Sequence, residues 1–183
     1  TAPSFVVFCG DNRRLRRIGE MHGKPFANDH LDMFMNSAVD AALVMGNIIQ
    51  AAEAVGLGCC PVSMIRDHIE ALQEILQLPE WVFPVAGLAI GYPSIPGYIT
   101  PRLSLETTVH ENVYDDSDLE SGIAVYDRRR HEVAPFDQSN QRHGDRYEDA
   151  GFYGWSEDKA RQYGSPQRAD FGAYVRRQGF SLD

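Results

Sequence analysis

The side chains with the plainest chemical capacity in this 183-residue chain are three cysteines, six histidines and a serine in a proline-containing turn. His22, His30, His68, His110, His131 and His143 form no HExxH motif and no paired spacing with cysteines, so no metal-ligand pattern is read and no metal is expected. Cys9, Cys59 and Cys60 make no CxxC pair, and adjacent Cys59 and Cys60 could bridge each other only with strained geometry. Such thiols fit a reducing compartment, and a cytoplasmic location is expected. Ser63 lacks the GxSxG context of a hydrolase nucleophile, and a cysteine beside an apolar helix reads as a small buried hydrophobe. Gly56 and Gly58 follow a helix, whereas a dinucleotide-binding loop sets its glycines between a strand and the next helix. What remains is the turn Pro61-Val62-Ser63-Met64 and an arginine, Arg102, leaving a proline-rich loop. A site of backbone donors, apolar walls and a guanidinium, with no acid or base, suits a cofactor that brings its own chemistry.

The turn is positioned by the stretch DAALVMGNIIQAAEAVGLGCCPVSM, Asp40 to Met64. Its helix is apolar nearly all round, through residues such as Ala41, Leu43, Val44, Ile48 and Ile49, and such a helix belongs in a core or a subunit interface. Dimerisation through Asp40–Val55 is therefore expected, with Ile48 and Ile49 in the contact. Asn47, Gln50 and Glu53 interrupt the run, and a membrane span takes about 20 predominantly apolar residues, so no membrane association is expected. Gly56 supplies the left-handed residue that ends the helix.

Upstream, Ser4 to Cys9 reads as a buried strand, and the polar RRLRRIGEMHGKPFANDH that follows reads as a loop or short broken helix. Its Arg13, Arg14, Arg16 and Arg17 are read as a solvated charged face with no assigned role. Downstream, Asp67 is the expected N-cap of a helix with Glu70 as its capping-box partner. Val82–Gly91 reads as a strand buried on both faces, and Leu105–His110 as a second extended segment. From Glu111 onward the composition turns polar and cannot supply a large core of its own. Ser165-Pro166 has helix-start chemistry, Phe171, Tyr174 and Val175 form an apolar stripe, and Gly179 is a stop, so this end is expected to dock on the main body or a partner subunit. A net charge of −9 argues against nucleic acid as a partner. Lys24 and Lys159 are the only lysines; the arginine bias would suit phosphate recognition but is better explained by the base composition of a gene.

Taken in order, AALVMGNIIQAAEAVGLGCCPVSMIRDHIEALQEILQLPE, PVAGLAIGYP and PRLSLETTVHENVY resemble the C-terminal two-thirds of flavin-dependent nitroreductases, in particular the NADPH-preferring group. GWSEDKARQYGS and YVRRQGF resemble that group's C-terminal region. The resemblance implies an α+β, three-layer fold, a mixed, mostly antiparallel sheet flanked by helices, in a homodimer with FMN at the subunit interface. It implies a core over residues 1–114 and a C-terminal extension over 115–183. By position, Pro61, Val62, Ser63 and Met64 would lie against the flavin ring, with the Ser63 amide toward its reactive nitrogen. Arg102 would hold the FMN phosphate beside Thr100, where the family often has a basic residue, and Met64 stands where it usually has glycine. Arg146 and Arg168 would hold NADPH, with Arg142 able to replace Arg146. The implied activity is ping-pong transfer of hydride from NAD(P)H to a small acceptor, a nitroaromatic or quinone-like compound. The chain starts inside a strand pattern without methionine, and the family's N-terminal segment, with its phosphate-binding arginines, is expected to be missing before Thr1. The other reading is an incomplete, flavin-free module kept for dimerisation or binding.

Overall fold

The computed structural model describes residues 2–95 and 97–183. Packing groups the chain into two units, Thr1–Ile95 with Arg168–Asp183, and Pro96–Gln167. The boundary expected at residue 114 marks a change of composition, whereas packing changes at residues 95 and 167.

The first unit is built on an antiparallel sheet of order β1-β3-β2, with β1 at Ser4–Asp11, β2 at Gly58–Val62 and β3 at Val82–Gly91. β3 is central, and its Leu88 and Phe83 are fully buried. Proline in a central strand removes a ladder donor, and the sheet accommodates Pro84 at an irregularity. Phe8 pairs with Ala86 and Cys9 with Pro84, which leaves Val85 as the extra residue. Helix α2, Leu31–Ala54, starts nine residues before the expected Asp40 and lies against β1 and β3. Ala41, Met45, Ile48 and Ile49 pack on Phe8 and Leu88, while Met35, Val39, Leu43 and Val44 are exposed. Ile48 and Ile49 thus face the sheet of their own unit, and the uncovered apolar face is a different one. Gly56 has φ +81°, as a left-handed helix stop requires.

The polar stretch after β1 forms a helix, α1 at Arg13–Met21. Arg16 departs from the solvated face read for it. Its guanidinium lies 4.4 Å from the Phe26 ring centroid and 4.6 Å from that of Trp81, with Asp29 at 2.7 Å. A short helix α3, Ile69–Leu76, precedes β3. At the other end of the chain, α7 (Phe171–Arg177) buries Tyr174 and Val175 in this unit, starting five residues after Pro166. Phe180 meets Phe83 edge-on at 5.2 Å, and Trp81 donates from its main-chain N to Gln178 O at 2.7 Å and from Nε1 to Gly179 O at 3.1 Å.

The second unit holds α4 (Leu105–Thr108), α5 (Leu119–Val133) and α6 (Trp155–Tyr163). Leu105–His110, expected to be extended, begins as α4: the Thr108 hydroxyl donates to Ser104 O at 3.0 Å, and among the described residues no strand of this unit pairs with it. Alternating apolar and β-branched residues made the segment resemble a strand, and the Thr108 back-bond to Ser104 O closes a helical turn instead. Asp127 on α5 caps α6, accepting from the Ser156 amide at 2.9 Å and from the Ser156 hydroxyl. As the composition implies, the centre of this unit is small and mixed, with Tyr126, Tyr153, Asp127, Asp158 and Arg161 all buried.

Candidate cofactor site

β2 is paired on one side only, which is where a strand tolerates proline; Pro61 lies opposite Leu88. Beyond Val62 the ladder ends. Ser63 turns into the right-handed helical region (φ −81°, ψ −22°), and its carbonyl accepts from the Arg66 amide at 3.2 Å, opening the 3-10 turn Met64–His68. Among the described residues, the Ser63 amide donates to no backbone carbonyl. Pro61, Ser63 and Met64 are exposed, Met64 at 68%, and Val62 is half-buried. The turn therefore presents a proline ring, a thioether and an open backbone donor on one short stretch.

Two arginines brace this turn, and a third engages the helix that follows it. Arg66 donates to the carbonyl of Val85, the extra residue of the β3 irregularity, and its guanidinium lies 5.9 Å from the Phe171 ring centroid. Burial, followed by the nearby charge of Arg168, lowers its pKa, with Asp67 opposing. Arg168 pairs with Asp67 at 2.9 Å, and Arg177 pairs with Glu70. The expected capping box is therefore not formed: α3 begins at Ile69 with His68 before it, no side chain caps it, and both acids are engaged from the C-terminal segment instead. A local motif lost to ion pairs that span the chain.

Thr100, Arg102 and Arg146 belong to the second unit, while the turn and Arg168 belong to the first. Two side chains of α5 pin the loop around Arg102: Tyr126 Oη donates to Pro101 O at 3.1 Å, and Arg129 donates to Arg102 O. The Arg102 side chain is exposed, and among the described residues its guanidinium makes no hydrogen bond or ion pair. Thr100 is half-buried beside it. Arg146 is exposed, donates to the Ser165 hydroxyl, and lies 5.9 Å from the Tyr147 ring centroid.

Sequence reasoning missed three buried charged residues of this unit, Asp127, Asp158 and Arg161. Burial would raise the Asp158 pKa, but hydrogen bonds from Tyr153, Lys159 and Arg142 outweigh it and hold the carboxyl below its ordinary value. The Tyr153 hydroxyl, raised by burial and by Asp158, stays protonated as the donor. The available signal was Glu157 one helical turn before Arg161, which reads equally well as a surface pair. Among the described residues, no group of three or more His, Cys, Asp or Glu is placed to hold a metal ion, and no helix is long and apolar enough to cross a membrane.

Residues 1–92 match the Nitroreductase family, and residues 100–183 match the Nitroreductase family, C-terminal domain. The chain is 37% identical over 128 residues to the FMN reductase (NADPH) of Bacillus subtilis, a match covering 68% of this chain and 51% of the relative. It is 32% identical over 183 residues to an NADPH-dependent oxidoreductase of Staphylococcus saprophyticus, covering 96% of this chain and 69% of the relative. Among solved structures, B. megaterium NfrA2 superposes with a TM-score of 0.86 at 32% identity, covering all of this chain and 70% of that one. The chain spans about half the length of the Bacillus subtilis relative.

Proposed function

Since the chain belongs to the nitroreductase family, we propose that the whole protein is an FMN-dependent NAD(P)H oxidoreductase that reduces a small nitroaromatic or quinone-like acceptor in a ping-pong cycle. Relatives named FMN reductase and NADPH-dependent oxidoreductase support this reading. The observation that carries it is the Pro61–Met64 turn, which exposes an apolar surface and an open backbone donor at Ser63.

The residues of each unit, taken separately, suit one part of FMN. A flat, redox-active ring needs apolar walls and donors aimed at its heteroatoms, and Pro61, Val62 and Met64 supply the first and the Ser63 amide the second. A phosphate needs a cation not already neutralised, and the Arg102 guanidinium is one, with Thr100 adding a hydroxyl but no charge. Bound FMN would supply the electron chemistry. The chain's own part is to bind, orient and tune. Arg66, Asp67 and Arg168 hold the turn rigid. Arg146, with Arg142 able to replace it, meets the phosphate that distinguishes NADPH from NADH, and Arg168, already paired with Asp67, would join in nucleotide binding only by giving up that pair. Guanidinium groups suit that task because they bind phosphate oxygens in a bidentate way.

A second copy of the chain covers α2: Met35, Val39, Leu43 and Val44 form an apolar row on one helix, and such rows on soluble proteins mark interfaces. Free Cys9, Cys59 and Cys60 fit a cytoplasmic protein. Loading the purified protein with FMN and following NADPH oxidation with a quinone tests the reading. Stable flavin uptake and nucleotide oxidation are expected; a protein that takes up no FMN is the flavin-free module instead.

A further inference from the structure

Arg161, on α6, is only 3% exposed, a state that a cation tolerates when its donors are matched by acceptors. Its Nε donates to Glu157 at 2.7 Å. Its two terminal nitrogens donate to main-chain carbonyls, one to Arg142 O at 3.1 Å and the other to Glu148 O at 2.7 Å. Those carbonyls are the two ends of the segment that carries both Arg142 and Arg146. The guanidinium also sits 5.5 Å from the Tyr147 ring centroid and 5.4 Å from that of Tyr153.

Other contacts close the same segment. The Gln141 side chain donates to Ala150 O at 3.0 Å and accepts from the Ala150 amide at 2.9 Å. The Arg142 amide donates to the Tyr153 hydroxyl at 2.9 Å, and that hydroxyl donates to Asp158 Oδ1 at 2.7 Å. Gly164 leaves the room that the Tyr147 hydroxyl takes, since a Cβ there would collide with it. This is a large polar framework for a loop whose outward products are two exposed arginines.

We propose that Arg161 is a positioning residue for nucleotide recognition: one buried guanidinium fixes both ends of the 142–148 segment, so that Arg146, with Arg142 beside it, meets the phosphate that distinguishes NADPH from NADH already in place. The inference rests on the assignment of Arg146 to the nucleotide made above. Ordering the loop in advance removes an entropic cost that binding would otherwise carry. Lysine cannot do the same work, because a single ammonium lacks the planar fork that reaches Glu157 and two separate carbonyls together.

Arg161→Lys in the FMN-loaded, full-length protein should raise KM for NADPH about tenfold by loosening a preordered site. KM for NADH, which lacks the extra phosphate, and kcat with either nucleotide should stay within about twofold. Hydrogen exchange should speed up at the Arg142 and Ala150 amides. Equal effects on both nucleotides, or none on either, overturn the positioning role. Arg146→Ala is measured in parallel. If it shifts the NADPH-to-NADH ratio and Arg161→Lys does not, Arg161 has no positioning role while Arg146 keeps its assignment. If Arg146→Ala leaves the ratio unchanged, the assignment fails and the inference falls with it. Gln141→Ala loosens the segment without touching the buried cation, so it decides the matter if Arg161→Lys does not fold: the same ratio shift supports the proposal, and an unchanged ratio overturns it.

Discussion

The carboxylate of Asp67 and the guanidinium of Arg168 meet at 2.9 Å, although 101 residues separate them in the chain. The pair joins the 3-10 turn after Ser63 to the segment that leads into α7. Its side chains are 36% and 22% exposed, so water and salt screen it. A double-mutant cycle with Asp67→Ala and Arg168→Ala, read by urea unfolding, should give a coupling of about 0.5 kcal/mol, falling as salt is added. A coupling above about 2 kcal/mol that ignores salt would mean a buried lock rather than a surface brace.

Asp158 sets an acid limit on the second unit. Its folded-state pKa is lowered, so its contribution is fully present above the unfolded carboxylate value of about 4 and is lost as pH falls through the lowered folded value. Asp158→Asn should therefore lower Tm at pH 7, with the gap to wild type closing as pH drops below about 4. Thermal melts across that range check it. A gap of constant size from neutral to acid pH would mean that packing, not charge, is what Asp158 supplies.

The two faces of α2 should answer differently to a buried charge. Leu43→Glu alters an exposed apolar residue, and the expected product is a folded monomer. Ile49→Glu would set a carboxylate against Phe8 and Leu88 and should destabilise the subunit itself by about 3 kcal/mol or more. Light scattering after size exclusion, paired with unfolding curves, separates the two. A dimeric Leu43→Glu variant would move the interface elsewhere.

Much of the frame was legible because local chemistry decides it. β1, β3 and the helix stop at Gly56 follow from short apolar runs and one glycine, although β1, expected to be buried, lies at the sheet edge with Phe5 and Val6 exposed. Three of the failures share one cause, a partner or face that only the fold supplies. Asp67 and Glu70 have capping-box spacing, but their partners, Arg168 and Arg177, lie far along the chain. Arg16 stands in a run of four arginines, and only the fold brings Phe26 and Trp81 to either side of it. Ile48 and Ile49 could not be told from Leu43 and Val44 on a helix apolar nearly all round, because which face meets the sheet is a tertiary choice. For the candidate site, the turn was visible as a motif. Its bracing by Arg66 was not, since that bond needs the carbonyl exposed by the irregularity at Val85.

At Ser63 the backbone and the hydroxyl can be separated. Ser63→Ala keeps the amide, whereas Ser63→Pro removes it and also restricts Val62. Loss of a donor to a buried partner costs about 1–3 kcal/mol, so Pro should slow flavin reduction strongly while Ala retains most of the rate. Stopped-flow reduction of matched, flavin-loaded variants checks this. An alanine variant as impaired as the proline one would shift the role to the hydroxyl.

The most direct measurement is the reductive half-reaction alone: FMN-loaded protein mixed with NADPH under anaerobic conditions, with no acceptor present. The flavin absorbance should bleach fully, the oxidised nucleotide should separate from the reduced protein, and a quinone added afterwards should restore the colour. Flavin that stays oxidised under NADPH, or bleaches only once the acceptor is added, would contradict a flavin oxidoreductase working in two separate steps.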